Sequence, residues 1–409
     1  MDKEVLKEIL LLQDAFKSED IVERELYNAL SKEIESPFVT IVSGIRRSGK
    51  STLLLELKKN SYYVNFDDER FINFSVEDFA TLEETLLELF GVRDFFIFDE
   101  IQLILGWERF VRRLHDAKKK IFVTGSNATM LSRELGTHLT GRTTTYTLYP
   151  FSFKEFLSYH ATEGLTNSLE TRAKIKNLFN EYIKIGGFPE FIKTENENYL
   201  KSLYENILYR DIIVRYNLRS EKVIKEIVYY AITNIGNQIS FNQVKKLTHL
   251  SSATTVKEYF EYFENSYLLF LLPLYSPSLS RQIYSHKKIY CIDSALALLL
   301  GFRFSQDKER ILENSVFLHL KRTEGDLYYH KNKYECDFIV KRGIHVREAI
   351  QVCYSLTHLN RKREVDGLLE AMTTYNLDRG LLLTYDQEEE IIIDNKKIIV
   401  RPVYKYFLQ

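Results

Sequence analysis

Three cysteines and six prolines among 409 residues rule out the architectures that depend on them. Cys291, Cys336 and Cys353 show neither the pairing of a disulfide framework nor the close spacing of a metal site, so they are expected as free thiols in a reducing compartment. So little proline leaves small room for disordered linkers, and no internal repeat or low-complexity tract breaks the chain. Neither sign of charge prevails. The 56 basic and 57 acidic side chains leave a formal charge of -1, which excludes a general basic coat for nucleic acid and confines any DNA contact to local patches. Long apolar runs are also missing: the longest, YLLFLLPLY, is too short to span a bilayer and contains Pro273. The opening MDKEVLKEILLLQDAFKSED carries acids on both sides of its apolar run and lacks a small-residue cleavage site. A folded, cytoplasmic chain with no membrane partner is expected.

What the sequence does contain is alternation, over a length that suggests two or three domains. Residues 1–35 read as an amphipathic N-terminal helical segment that ends near Ser36-Pro37. From 36 to 160, the apolar runs PFVTIVS, SYYVNF, DFFIFDE, KIFVTGS and TTTYTLY alternate with helical patterns such as TLLLELKK, WERFVRRLHDA and NATMLSREL. That α/β pattern implies parallel crossovers and a doubly wound parallel sheet. Ligands of such sheets bind at the carboxyl ends of the strands, where GIRRSGK, FDE and VTGSN fall. Residues 161–235 read as a helical lid interrupted by GGFPE. Residues 236–300 read as helix, turn, helix and strand pair, which is either a winged-helix-like domain or a small helical packing domain. Residues 301–409 form a further α/β domain.

The stretch Gly44-Ile45-Arg46-Arg47-Ser48-Gly49-Lys50-Ser51-Thr52 fits the P-loop pattern G-x-x-x-x-G-K-[ST] between a strand and a helix. Its glycines let backbone N–H groups converge on phosphates, Lys50 reaches the terminal phosphates, and the Ser51 hydroxyl is offered to magnesium. Asp99 and Glu100 end the apolar run DFFIF. Asp99 would hold magnesium, and Glu100 is placed to polarise a water for attack on the γ-phosphate. A third strand end carries Thr124-Gly125-Ser126-Asn127, in which Ser126 or Asn127 would sense the γ-phosphate or merely cap a helix. Arg142 in LTGRTTT would reach the phosphates of its own site, act as a finger on a neighbouring subunit of a homo-oligomer, or do neither.

Together GIRRSGKST, FDEIQ, GWERFVRRLHD, VTGSNATMLS, LTGR and YPFSFKEF resemble the archaeal and bacterial AAA+ type ATPases that carry a C-terminal domain of unassigned function. The resemblance implies a P-loop NTPase fold, ATP and Mg2+ as ligands, and Lys50, Ser51, Asp99, Glu100 and Ser126 or Asn127 in the roles above. GGFPE is similar to the glycine-proline element of signalling ATPases, which implies that Pro189 lies beside the nucleotide and reports its state to the lid. A rigid turn between two helices is the plainer alternative.

Glu313 on a helix pattern, Asp337 in YECDFIV and Gln351 in AIQVCYS resemble the PD-(D/E)XK core of restriction-endonuclease-like domains, in which such residues hold magnesium. Two positions after Gln351, where that core has a lysine, stands Cys353. A thiol supplies no fixed positive charge, so the departure argues against cleavage. Lys333 or Lys341 would have to reach in from a neighbouring strand. A nuclease, a DNA-binding domain that does not cut, and a protein-interaction module all stay open. DNA patches are expected at Arg281 with His286, Lys287 and Lys288, flanked by Tyr284 and Tyr290, and at Arg361-Lys362-Arg363. The whole is read as an ATP-hydrolysing, DNA-associated protein, with a signalling switch that binds a protein partner as the rival.

Overall fold

Short runs rich in β-branched and aromatic residues suit strands buried on both faces, and VTIVS, FFIFD and KIFVTG are buried along nearly their whole length. A computed structural model describes the chain except for residues 16–21, 128–135, 137–138, 140, 161–167, 302–306 and 324. The helix expected at NATMLSREL falls mostly outside the described residues. The chain divides into two units, Met1–Pro150 and Phe151–Gln409.

The first unit is built on a parallel sheet of β1 (Val39–Ser43), β2 (Ser61–Asn65), β3 (Phe95–Asp99), β4 (Lys120–Gly125) and β5 (Thr143–Thr147), in the order β2-β3-β4-β1-β5. The half-buried, threonine-rich β5 takes an edge, as its composition allows. On one face an aromatic core of Phe66, Phe71, Phe74, Phe79, Phe98, Phe110 and Trp107 takes in Leu6, Ile9 and Leu10 of the helix Lys3–Ala15. On the other face Leu53 and Leu54 of the helix Lys50–Glu56 pack with Val42, Ile97, Phe122 and Leu30. The N-terminal helices are therefore part of this body and not a segment apart. The strand order sets β4 between β1 and β3, so the carboxyl ends of all three meet.

The second unit begins with helices Phe153–Tyr159, Leu169–Ile185, Pro189–Thr194, Glu197–Asn206 and Glu221–Thr233. A small antiparallel sheet follows, with β8 (Lys287–Cys291) between β6 (Gln238–Ile239) and β7 (Leu269–Leu272), and with helices Phe241–Leu247 and Ala253–Asn265 between β6 and β7. After the helix Asp307–Thr323 comes a six-stranded mixed sheet of β9 (Asp326–Lys331), β10 (Glu335–Arg342), β11 (His345–Val352), β12 (Arg379–Thr384), β13 (Glu389–Ile393) and β14 (Lys396–Pro402), in the order β13-β14-β12-β11-β10-β9. The helix Arg361–Thr374 crosses from β11 to the parallel β12. The pairing of β10 with β9 shifts register between Cys336 and Ile339, a bulge that re-aims Asp337.

Candidate functional site

Gly44 leaves β1 at φ +151°, and a Cβ there would lie 2.1 Å from the Leu148 carbonyl oxygen, so only glycine fits. Gly49, at φ +97°, delivers the loop into the helix Lys50–Glu56. Within the turn the Lys50 ammonium is buried and donates to the Gly44 and Ile45 carbonyl oxygens at 3.0 and 3.2 Å. Ile45 is buried, Arg46 and Thr52 are half-buried, and Arg47 and Ser51 are exposed. The Ser48 hydroxyl is fully buried and has no hydrogen-bond partner among the described residues. One residue that the motif does not announce braces the loop: buried Arg24 donates to the Ser48 carbonyl oxygen at 2.8 Å and to that of Tyr149 at 2.7 Å. It precedes the helix Tyr27–Glu33, and no periodicity marks it.

Asp99 closes β3 with its carboxylate buried and fixed from two sides. The Tyr63 hydroxyl donates to its Oδ2 at 2.9 Å, and the Thr124 hydroxyl donates to its Oδ1. Thr124 follows Val123, which pairs with Phe98, so β4 carries the hydroxyl to the end of β3. The Thr124 hydroxyl oxygen in turn accepts the Glu100 N–H at 3.0 Å. Glu100 sits at φ +53°, a region costly for a residue with a Cβ. Gln102 donates to its carboxylate at 2.5 Å. Burial pushes the Glu100 carboxyl above the usual range while the positive charges of Lys50 and Arg46 pull it back. Ser126 and Asn127 are buried just beyond β4. The phosphate-loop residues and the pair Asp99 and Glu100 thus come together at one end of the sheet, with Thr124 linking the last two.

Arg142 does not join them. It directly precedes β5, and its carbonyl accepts the N–H of Val39, the first residue of β1. A five-residue strand separates it from the loop, roughly 16 Å at ~3.3 Å per residue. Its guanidinium pairs with Asp116 at 3.3 Å, so action on its own site is ruled out by the direction of β5. Pro189 heads the helix Pro189–Thr194 in the second unit. The glycines before it are held by Asp293, whose carboxylate accepts the Gly187 N–H at 2.7 Å and caps the helix Ser294–Leu300.

The three residues expected in the C-terminal domain also come together, around a cation that was expected elsewhere. Lys288 of β8 is fully buried and its ammonium donates to Glu313 at 2.7 Å, Asp337 at 2.8 Å and Glu335 at 3.2 Å. The Tyr290 hydroxyl adds a bond to Glu313 at 2.7 Å. Gln351 accepts the Asp337 N–H at 3.2 Å and donates to Glu364 at 2.6 Å. Burial alone would lower the Lys288 pKa, but Asp337 and Glu313 hold it well above the usual range. Burial, then Asp337, pushes Glu313 up to about 7 against the pull of Lys288. Lys333 and Lys341 do not reach this centre: Lys341 pairs with Asp326 at 3.6 Å, and Lys333 lies over the Tyr334 ring. Among the described residues, no group of three or more His, Cys, Asp or Glu is placed to hold a metal ion.

The expected DNA patches lose several members to the interior. Lys288 is consumed as described, and Tyr290 is buried and stacked on Phe317 at 4.1 Å. Lys287 donates to the Gln282 carbonyl oxygen, Arg361 forms a two-bond pair with Glu389 at 2.7 and 3.0 Å, and Arg363 pairs with Glu364 at 2.5 Å. Tyr284 stays exposed. The three cysteines are free thiols and buried. No helix among the described residues is long and apolar enough to cross a membrane.

Residues 36–157 match a family described as an AAA domain, and residues 176–307 match a domain of unknown function, DUF8612. An uncharacterized protein of Haemophilus influenzae is 27% identical over 93% of this chain and 98% of its own length. Among solved structures, the signal transduction ATPase with numerous domains and a tetratricopeptide repeat sensor from Pyrococcus horikoshii aligns with 75% of this chain at 14% identity and a TM-score of 0.29, and this chain covers only 46% of that one. The uncharacterized protein MJ1544 of Methanocaldococcus jannaschii is 34% identical over 100% of this chain and 96% of its own. The chain belongs to the family of that Methanocaldococcus protein and carries an AAA domain with a P-loop in its first unit.

Proposed function

We propose that this chain hydrolyses ATP and that its second unit is a nucleic-acid module that does not cut. The observation that carries the first part is the Thr124 hydroxyl, which ties Asp99 and the Glu100 backbone into one fixed arrangement. Glu100, with a carboxyl raised by burial, is a better base toward a water than an ordinary glutamate. Lys50, released from its two loop carbonyls, would bind the terminal phosphates. The donor set suits magnesium, a hard cation that takes oxygen ligands: the exposed Ser51 hydroxyl and the carboxylate of Asp99, oriented by Tyr63 and Thr124. Bound magnesium would neutralise phosphate charge. Ser126 or Asn127 would sense the γ-phosphate.

For the second part, helix Glu221–Thr233, β6, helices Phe241–Leu247 and Ala253–Asn265, β7 and β8 follow the element order of a winged helix. Helix Asp307–Thr323, β9, β10, β11, helix Arg361–Thr374 and β12 follow that of a nuclease core. The carboxylates where such a core would hold metal are instead bonded to Lys288, which supports binding without cleavage. The rival, a nucleotide switch with a protein partner, gains from one observation: the exposed face of helix Ala253–Asn265 carries Glu258 and Glu261 against Lys257, which pairs with Glu261 at 3.5 Å. The test is the steady-state ATPase rate of wild type beside Lys50→Ala, without DNA and with duplex, forked and four-way-junction DNA. A Lys50-dependent rate that rises with one DNA is expected. A rate independent of Lys50 removes the first part, and indifference to every DNA at low salt removes the second.

A further inference from the structure

We propose that Lys288 is an internal counter-cation that locks the acidic centre of the C-terminal domain, taking the place of a divalent ion and preventing one from binding. An ammonium has three hydrogens and no acceptor. Three carboxylates, from Glu313 on a helix and Glu335 and Asp337 on β10, lie at 2.7, 3.2 and 2.8 Å from the Lys288 nitrogen and use them all. The second oxygens of the two strand carboxylates are taken as well. Asp337 Oδ2 accepts the Val352 N–H at 2.9 Å, and Glu335 Oε2 accepts from Gln238 at 2.8 Å and Lys331 at 3.3 Å. Gln351 is turned into bonds with Glu364 and the Asp337 amide. The lysine cannot leave alone, because β8 is the middle strand of its sheet and Lys288 pairs in register with Leu272 on one side and Gln238 on the other.

The geometry also states what the lysine replaces. Hydrogen-bond distances near 3 Å keep the carboxylates farther apart than a magnesium ion, which holds its oxygens at about 2.0–2.1 Å, would. With the ammonium gone, the buried carboxylates repel one another and a divalent cation can draw them in. Every residue of the centre lies in the second unit, so the inference stands apart from ATP hydrolysis. It deepens the non-cleaving role proposed above, and the two fail separately: DNA cutting by the parent sinks that role, whereas metal binding without cutting sinks only the lock.

The experiment titrates Mn2+ into the full chain carrying Lys50→Ala, which disables the nucleotide loop, and follows binding by calorimetry and unfolding by thermal denaturation. The parent is expected to bind no Mn2+ in the sub-millimolar range. Adding Lys288→Ala should create one site and a melting temperature that climbs with Mn2+, as linkage requires, and a further Asp337→Asn should abolish both. Parent binding that Asp337→Asn removes, or a folded Lys288→Ala protein silent to Mn2+, overturns the proposal. Should Lys288→Ala fail to fold, Lys288→Gln, which keeps most of the length without the charge, is read the same way, and the parent arm decides on its own.

Discussion

Two buried lysines of this chain stand near carboxylates and differ in what their ammonium groups touch. Lys50 donates to two neutral carbonyl oxygens of its own loop, and its charge bears on Glu100 from nearby. Lys288 donates to three carboxylates. Hydrogen bonds from an ammonium to neutral carbonyls contribute about 1.5–3 kcal/mol each and exchange for bonds to phosphate, which carries the opposite charge. Buried ion pairs cannot be given up without stranding charge in a low dielectric. The first arrangement suits a ligand that comes and goes, and the second excludes one.

The largest effect is therefore expected at Lys288. Lys288→Ala should lower the stability of the second unit by about 3–5 kcal/mol in urea denaturation. Adding Glu313→Gln should recover part of the loss, since one stranded charge goes with it, and a double variant no more stable than the single would count against the charge account. Lys50→Ala should do the reverse: a denaturation midpoint almost unmoved, and ATP turnover down by about 100-fold or more. Equal destabilisation in both variants would erase the distinction between the two lysines.

A buried carboxyl held by backbone amides sharpens the comparison. Asp293 accepts N–H bonds from Gly187, Ala295 and Leu296 at 2.7, 2.8 and 3.3 Å. Burial pushes its pKa up to about 6, and those amides only partly restrain it. The folded chain thus holds this proton more tightly than the unfolded chain, whose value is about 3.9. The stability gained is full below about pH 4 and is lost as pH rises through about 6, at most about 3 kcal/mol. Glu313, pushed to about 7, moves the same way. Urea midpoints of wild type should fall across that window and those of Asp293→Asn should fall less, whereas parallel curves would remove Asp293 from the account.

What could be read beforehand followed the range of the interactions. Gly44 to Ser51 and the pair Asp99 and Glu100 were legible because strand, turn and site are contiguous, and the buried strands because β-branched and aromatic residues fill them. Of the three alternatives for Arg142, action on its own site could have been set aside from the sequence, since a residue directly before β5 must lie at the amino end of a parallel sheet. Lys288 was read as part of a surface patch, yet in a strand it shares a face with Tyr290, and a buried tyrosine draws the lysine in with it. Arg24 had no local signal. Its partners Ser48 and Tyr149 lie 24 and 125 residues away, and only the fold brings them to it.

The smallest effect is expected at Tyr63. Two hydroxyls fix the Asp99 carboxylate, but that of Thr124 also accepts the Glu100 N–H, whereas among the described residues that of Tyr63 bonds Asp99 alone. Tyr63→Phe removes one charge-assisted bond and leaves the ring in the core, so ATP turnover should fall about 3- to 10-fold, the order of a single such bond only partly expressed in the rate. Thr124→Val should cost more than Tyr63→Phe, because besides one donor to Asp99 it removes the acceptor of the Glu100 N–H. The two variants, compared at several magnesium concentrations, separate the functions of the carboxylates. A loss that excess magnesium restores belongs to Asp99, and a loss that magnesium leaves unchanged belongs to Glu100. Should Tyr63→Phe match Thr124→Val in size and in magnesium response, the Glu100 amide contributes nothing, and Thr124 is one of two equivalent clamps on Asp99.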